Sequence, residues 1–551
     1  MNHPTDPSTA THEVFNQPPA LENYNLFDAD IPLQELLARE GGSWGEERVR
    51  HLGATLGQSE WIARGFQANE QIPRFHSHDR FGHRIDLVEF HPAYHELMAL
   101  AVDSGLPTLP WTHPQPGAHV TRMALSYLYS QVEAGSGCPL TMTFAAVPPL
   151  QKLSPKAGQW LQRLLHGRYD PANAPIEQKH GVTIGMAMTE KQGGTDVRAN
   201  TSRADEVDGE LYRLTGHKWF CSAPMCDAFL VLAQAQGGLT CFLMPRWCPD
   251  GSKNALQIQR LKEKMGNRSN ASSEIEFRDA LAWRLGEEGR GVATIIEMVA
   301  LTRYDCMIGS TALMRQAVAQ VTHHIAHRSV LGKRLIDQPL MQNVVADLCL
   351  EVEGALAMTG RVARALDNQD SEAQRLLVRI TTAVGKYWIC KRATSQIGEA
   401  QECLGGVGYV EESILPRLYR EAPVNSIWEG SGNVQCLDLM RAISKTPAVA
   451  EVFMEELGQA RGGHRLYDAY LDRLGTLVTD LGDMEYRGRA VMERLALGFQ
   501  AAQLIRAGNE TVVDAFCRSR LEQSHGYCFG NLPSGIDCRA IIERAIPISE
   551  Y

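Results

Sequence analysis

The sequence predicts an α+β chain in four parts: a helical N-terminal domain, a central antiparallel β domain, a C-terminal helical bundle and an extra helical extension. Three observations predict it. Apolar residues recur at helical spacing from about 46 to 180 and again from about 291 to 444; short β-branched and aromatic runs broken by Gly, Asn and Asp fill the interval between. Thr446-Pro447 then interrupts the second helical tract well before the end. The boundaries expected from these changes are 1–182, 183–290, 291–446 and 447–551.

Taken in order, residues 1 to about 45 are rich in Pro, Asn and Asp and read as an extended arm. His95–Asp103 and Val120–Val132 carry helical spacing. Leu211–Leu214, Phe229–Leu232, Cys241–Met244 and Ser273–Phe277 read as antiparallel strands of a barrel or sandwich. Ala312–Arg328, Leu340–Leu366 and Glu372–Ile397 are long segments with few breakers, the pattern of a helix bundle. Beyond Pro447, Leu466, Tyr470, Leu474, Leu477, Val478 and Leu481 form one apolar face, and Met492, Leu495, Phe499 and Ala502 another.

Composition narrows the class. At 551 residues, 44% hydrophobic and 21% charged, the chain is that of a multidomain soluble protein. No apolar run approaches the ~18 residues a spanning helix requires, and Met1–Asn16 has neither a basic start nor an apolar centre, so a cytoplasmic protein without membrane contact is expected. Thirteen scattered cysteines contain no Cys-x-x-Cys pair and suggest neither a disulfide framework nor a zinc ribbon. His323 and His327 stand one helical turn apart, but no acidic or Cys ligand accompanies them, and no metal site is expected. A net charge of −10 opposes attraction of nucleic acid by the overall field, so any DNA contact must be local.

The chemistry concentrates in Asn425-Ser-Ile-Trp-Glu-Gly-Ser-Gly-Asn433. Glu429 is an isolated carboxylate between the flat indole of Trp428 and Gly430, and Val434–Arg441 reads as a helix whose first N–H groups face an anion or a carbonyl oxygen. That suits proton abstraction beside a flat cofactor. Taken alone, an ordinary helix start with Ser and Asn caps fits equally well.

It does not stand alone. Ala187-Met-Thr-Glu-Lys-Gln-Gly-Gly-Thr-Asp-Val197, Gly216-His-Lys-Trp-Phe-Cys-Ser222, Lys264-Met-Gly-Asn-Arg-Ser269, Gly286-Glu-Glu-Gly-Arg-Gly291, Arg328-Ser-Val-Leu-Gly-Lys333 and the run from Glu402 to Glu421 precede it in a fixed order. Together these resemble the acyl-CoA dehydrogenase superfamily. Val14-Phe-Asn-Gln-Pro18, Met186–Gly193, Gly266–Ala271 and Val424–Asn433 resemble, within it, the AidB-type proteins of the bacterial alkylation response, whose hallmark is an extra C-terminal domain. The resemblance implies FAD as cofactor, an acyl-CoA substrate, a homotetramer, and α,β-dehydrogenation with Glu429 as the base and its N–H polarising the thioester carbonyl. It implies that Met186, Met188, Thr189, Gly194 and Thr195 line the flavin, that Phe220, Cys221 and Ser222 cover it, and that Trp428, Gly430, Ser431 and Asn433 contact the cofactor. Arg328, with Glu402, Gly405 and Gly406, would hold the pyrophosphate and adenosine end from a neighbouring subunit. Val330 departs from the family pattern of a hydrogen-bonding residue, and Thr302 occupies the place where some branched-chain members carry their base.

Two functions follow. One is an AidB-type protein that binds double-stranded DNA through 447–551, limits alkylation damage and keeps weak, isovaleryl-CoA-like dehydrogenase chemistry; the other is a metabolic short- or branched-chain acyl-CoA dehydrogenase. After Pro447 there are eleven Arg and no Lys against fifteen Asp plus Glu, so this region is itself acidic, yet every cation in it is a guanidinium suited to phosphate. Arg441, Arg487, Arg489, Arg518 and Arg520 are the candidate phosphate contacts, although a surface salt bridge is the ordinary role for each.

Overall fold

Apolar stripes at helical spacing open the N-terminal part, whose first helix is capped by Asp30 accepting from the Leu33 N–H. The computed structural model describes residues 10–151, 158–479, 483–522 and 526–547. Helices α1 (Ile31–Arg39), α2 (Glu46–Leu56) and α3 (Ser59–Glu70) are followed by a hairpin, β1 (Arg74–His78) and β2 (Arg84–Glu89). Then come α4 (Pro92–Asp103), the single turn α5 (Leu109–Thr112), α6 (Ala118–Val132), α7 (Gly137–Ala145), the single turn α8 (Val147–Leu150) and α9 (Gly158–Leu165). The hairpin corrects the expectation of helical structure throughout 46–180. Its residues are too polar to signal a strand, and it is fastened from outside: Asp86 accepts from the Ile258 N–H at 3.2 Å and pairs with Lys253.

The β domain comprises β3 (Ile184–Ala187), β4 (Arg203–Asp208), β5 (Leu211–Ser222), β6 (Ala228–Ala235), β7 (Gly238–Pro245), β8 (Leu256–Leu261) and β9 (Ser272–Leu285). Strands β4, β5, β9, β7 and β6 pair antiparallel in that order, and β4 returns to β6 through a parallel bridge between Arg203 and Gln234, so the sheet closes into a barrel. Strand β3 also joins β6 in parallel. The sheet is therefore mixed, where the sequence suggested antiparallel pairing alone. Phe229, Phe242, Leu214 and Ile275 fill its interior.

The bundle runs through α10 (Gly291–His327), the two-residue strands β10 (Ser329–Val330) and β11 (Lys333–Arg334), α11 (Pro339–Leu366), α12 (Glu372–Cys403), α13 (Leu415–Asn425) and α14 (Gly432–Lys445). The N-terminal arm lies against the end of α10: the Asn16 side chain exchanges hydrogen bonds with Ser329 at 2.7 Å each, Arg328 donates to the Asn16 carbonyl at 2.7 Å, and His323 Nε2 lies 2.9 Å from the Pro19 carbonyl.

The extension is α15 (Ala448–Gly458), α16 (Arg465–Thr479), α17 (Met484–Ala507), α18 (Glu510–Arg520) and α19 (Cys538–Glu543). Its apolar faces bury Tyr470, Leu474, Met492, Leu495, Phe499 and Ala502; Leu481 and the side chain of Val478 fall outside the described residues. These residues share one continuous core with the bundle. Buried ion pairs reinforce the junction: Glu456 accepts from Arg361 at 2.7 and 2.8 Å and from Arg506 at 2.8 Å, Arg520 pairs with Asp347, and Arg544 with Glu353 at 2.9 Å.

Candidate active site

Pro423 sits in the last turns of α13, which ends at Asn425, and a short turn then carries the chain to Ser431, the N-cap of α14. Glu429 lies in this turn with φ 58°, in the left-handed region that costs a non-glycine residue about 1 kcal/mol or more, followed by Gly430 at φ 99°. Three side-chain donors hold that conformation, two from other helices and one from the first turn of α14. Arg303 on α10 donates to the Glu429 carbonyl at 2.8 Å, Gln435 to the Gly430 carbonyl at 2.8 Å, and Lys386 on α12 to the same carbonyl at 2.7 Å. Asp438 fixes Arg303 in turn at 2.8 Å. Among the described residues the Glu429 N–H has no acceptor, so it is available to a carbonyl oxygen.

Among the described residues the side chain has one hydrogen-bond partner. Thr302 Oγ1 donates to Glu429 Oε2 at 2.7 Å. Removal from water raises the Glu429 carboxyl above its ordinary range, while the Thr302 hydrogen bond and the charges of Arg303 and Lys386 oppose that rise. Thr302→Val removes a donor that favours the charged form, so the carboxyl must titrate higher still. The rising limb of any reaction that needs ionised Glu429 is expected to move to higher pH, measurable in the pH profile of flavin reduction.

From the β domain, Met186 is buried at the end of β3, Met188 and Thr189 are partly buried after it, and Gly194 and Thr195 are exposed on the turn that follows. A Cβ at Gly194 would meet the Thr189 hydroxyl, so the turn packs closely on that side chain. Its base is a fully buried pair, Glu190 with Lys218 at 2.9 Å. Burial alone would raise Glu190, but the Lys218 ammonium and the hydrogen bonds of Ser202 and Thr201 hold it well below the usual carboxylate range.

Strand alternation divides Phe220, Cys221 and Ser222. Phe220 is 48% exposed and Ser222 partly exposed on the open face, whereas Cys221 is fully buried in the barrel, its carbonyl accepting from Ser273. Cys221 is thereby corrected as a surface-facing cofactor contact; with side chains alternating across a strand, only its two neighbours can cover a ring.

Two residues the sequence did not single out stand beside Ser222. The Cys138 thiol on α7 is within reach of Ser222 and close enough to Glu429 to feel its charge; burial pushes the thiol up to about 12. Next to Cys138, Asn270 is buried with neither its carbonyl nor its amide in a hydrogen bond of good geometry. Lys264 donates to the Asn270 backbone carbonyl, and burial lowers its ammonium to about 8. This loop is docked on α13 by Glu421, which accepts from the Asn267 N–H at 2.7 Å. Gly266 packs so tightly on Arg420 that a Cβ would strike the Arg420 carbonyl.

Trp428, whose Nε1 donates to Asn425 at 3.1 Å, and Gly430, Ser431 and Asn433 stay with Glu429 by connectivity. Arg328, Glu402, Gly405 and Gly406 do not join it. Arg328 lies 26 residues beyond Thr302 along α10, about 39 Å at 1.5 Å per residue, and Glu402 lies about 24 Å along α12 from Lys386. Gly405 and Gly406 are exposed with open space around them.

The candidate phosphate contacts separate too. Arg441 is exposed and makes no ion pair among the described residues. Arg489 is exposed and donates to Asn433 at 2.9 Å, and Arg487 is partly buried. Arg518 is engaged by Asp514 at 3.1 Å and by the Ser534 carbonyl at 2.8 Å. Arg520, with its side chain 13% exposed and paired with Asp347, is turned into the fold and corrected as a surface contact.

Comparison with known proteins gives a consistent result. Residues 16–171 match the adaptive response protein AidB N-terminal domain, 185–280 the acyl-CoA dehydrogenase middle domain and 289–444 the acyl-CoA dehydrogenase C-terminal domain. The chain is 45% identical to the putative acyl-CoA dehydrogenase AidB of Escherichia coli over 94% of its own length and 95% of that protein's. Caenorhabditis elegans ACDH-11, solved in complex with C11-CoA, superposes with a TM-score of 0.85 at 26% identity, covering 95% of both chains. A Bacillus anthracis acyl-CoA dehydrogenase complexed with FAD shares the fold, with a TM-score of 0.69 at 15% identity over 91% of this chain and 90% of that one.

Proposed function

The chain belongs to the acyl-CoA dehydrogenase family, in its AidB branch, and on that premise we propose an FAD-containing dehydrogenase-like protein that also binds double-stranded DNA and limits alkylation damage. FAD is its cofactor. The site's residues fit one: Phe220 and Trp428 offer flat surface, Met186 an apolar edge, and the buried Asn270 amide lacks the partner a polar ring edge would supply. Bound there, FAD would accept the hydride released from the acyl β-carbon.

The observation that carries the reading is Glu429, raised by burial yet held in a left-handed turn by Arg303, Gln435 and Lys386. Its carboxylate would take the α-proton. The free Glu429 N–H would donate to the thioester oxygen, where negative charge develops, and the closed surroundings would exclude water. Arg328, Glu402, Gly405 and Gly406, too far along their helices to serve this site, would serve another subunit of a homotetramer. Among the described residues no helix is long and apolar enough to cross a membrane.

A small acyl group, as in short- or branched-chain metabolism, is supported by relatives named short/branched chain specific and isovaleryl-CoA dehydrogenases. Between α6, α7 and α10 lies a cavity of about 30 Å³, room for one or two waters, lined by Asp305 one turn along α10 from Thr302. Arg122 and Asp305 pair across it, with Thr141 donating to Asp305 at 2.6 Å. Anaerobic mixing with acyl-CoA compounds tests this: isovaleryl-CoA should bleach the flavin faster than long-chain thioesters, and no bleaching by any would refute the dehydrogenase reading.

The DNA role is tested on the full chain across a salt series. Binding independent of sequence and falling steeply with salt is expected, and Arg441→Ala should reduce the slope by about 0.9, the value of one phosphate contact. An unchanged slope removes Arg441; no binding at low salt leaves the metabolic reading.

A further inference from the structure

Two cations near Gly432 and Asn433 make no ion pair among the described residues. Lys391 on α12 lies over Gly432, where a Cβ would meet its Cε at 2.7 Å and its Nζ at 3.1 Å, and its amine sits 5.5 Å from the Tyr387 ring centre. Arg489 comes from the extension and donates to the Asn433 side chain at 2.9 Å. Among the described residues neither makes an ion pair, and each is close enough to feel the other: Lys391 is lowered first by burial, then by the Arg489 charge and by Lys386. Glu493, one turn along α17 from Arg489, is felt at Tyr387 but forms no ion pair with either cation among the described residues, and like charges left together in this way are unfavourable unless something negative comes between them.

The approach is built into the packing. Gly488 lies flush against α14, where a Cβ would meet Met440 Cε at 2.6 Å and Cys436 Cβ at 3.3 Å. That glycine lets the backbone of α17 come close enough for the next residue, Arg489, to reach Asn433. The two cations therefore converge on Gly432 and Asn433, three and four residues after Glu429, within about 14 Å of the base even for extended chain. A flavin dinucleotide whose ring lies at Glu429 can place its diphosphate at that distance.

Resting on the FAD-containing reading above, we propose that Lys391 and Arg489 clamp the diphosphate of FAD, so that the extension supplies part of the cofactor site. Diphosphates also occur in coenzyme A, and phosphates in DNA; the cation pair would suit each, and the experiment separates them. Full-length protein stripped of flavin is titrated in parallel with FAD and with riboflavin, which lacks phosphate, for wild type, Arg489→Gln and Lys391→Gln. Each substitution should weaken FAD about 10- to 100-fold, the loss of a charge-assisted contact, and leave riboflavin within about twofold. FAD affinity unchanged in both variants overturns the proposal, as does parallel loss of FAD and riboflavin, or an effect confined to acyl-CoA or DNA affinity. A wild-type chain that takes no FAD would instead overturn the cofactor reading itself, and this contact with it. Arg489 is exposed with a single hydrogen bond, so its substitution leaves the core intact.

Discussion

Glu429→Gln is expected to retain FAD and to slow flavin reduction by acyl-CoA by about 10²- to 10⁴-fold, the range a positioned general base contributes. The substitution is clean because the turn is not held by the side chain it changes. Arg303, Gln435 and Lys386 all donate to the backbone carbonyls of Glu429 and Gly430, and an amide carbonyl can still accept from Thr302. What is lost is the proton acceptor alone. Stopped-flow mixing under anaerobic conditions reads the effect in the flavin absorbance, with bound FAD quantified before mixing. Bleaching at the wild-type rate would remove Glu429 as the base.

The order of the helical, β and bundle segments was legible because their apolar periods, 3.6 and 2, are local properties. The pairing that closes the barrel was not: the bridge of Arg203 to Gln234 joins residues whose own sequence carries no signal for parallel neighbours. Strands β1 and β2 escaped notice for a related reason, since Asp86 is fastened by Ile258 and Lys253, far along the chain. At the site, Glu429 was conspicuous because the residues that shape its turn are contiguous with it. Its supports were not, since Arg303, Lys386 and Cys138 sit on other helices without a distinguishing motif. Cys221 breaks the parity of Tyr212, Leu214 and Lys218, the buried residues before it on β5, because the pairing with β9 shifts register between Lys218 and Cys221; alternation alone would have turned it outward. Arginines give the opposite lesson. Arg441 and Arg520 look alike in sequence, but the partners that bury Arg520 lie on α11, roughly 170 residues earlier.

Glu456→Ala is expected to cost about 3–5 kcal/mol of folding stability, because it leaves a buried guanidinium without its counter-charge. Arg361, with its side chain 2% exposed, makes two hydrogen bonds to Glu456, and Arg506 adds a third at 2.8 Å. Burial alone would raise the Glu456 carboxyl, but Arg361 and Arg506 hold it below its usual range. A carboxyl depressed in the fold contributes stability above its unfolded pKa and loses it as pH falls through the folded one. The gap between wild type and Glu456→Gln should therefore narrow below about pH 4. Replacing both partners, as in Arg361→Met with Glu456→Leu, should cost far less than the single change, since no charge is stranded. Urea unfolding followed by helical signal and by flavin release should show one coincident transition, because the pair joins α11 to α15 within one core. Two separate transitions would make the extension an independent lobe. If they coincide, cutting the chain near Thr446 strands Arg361 and exposes the bundle. Loss of DNA binding on truncation would then report unfolding, and the DNA surface has to be mapped by single substitutions such as Arg441→Ala in the intact chain.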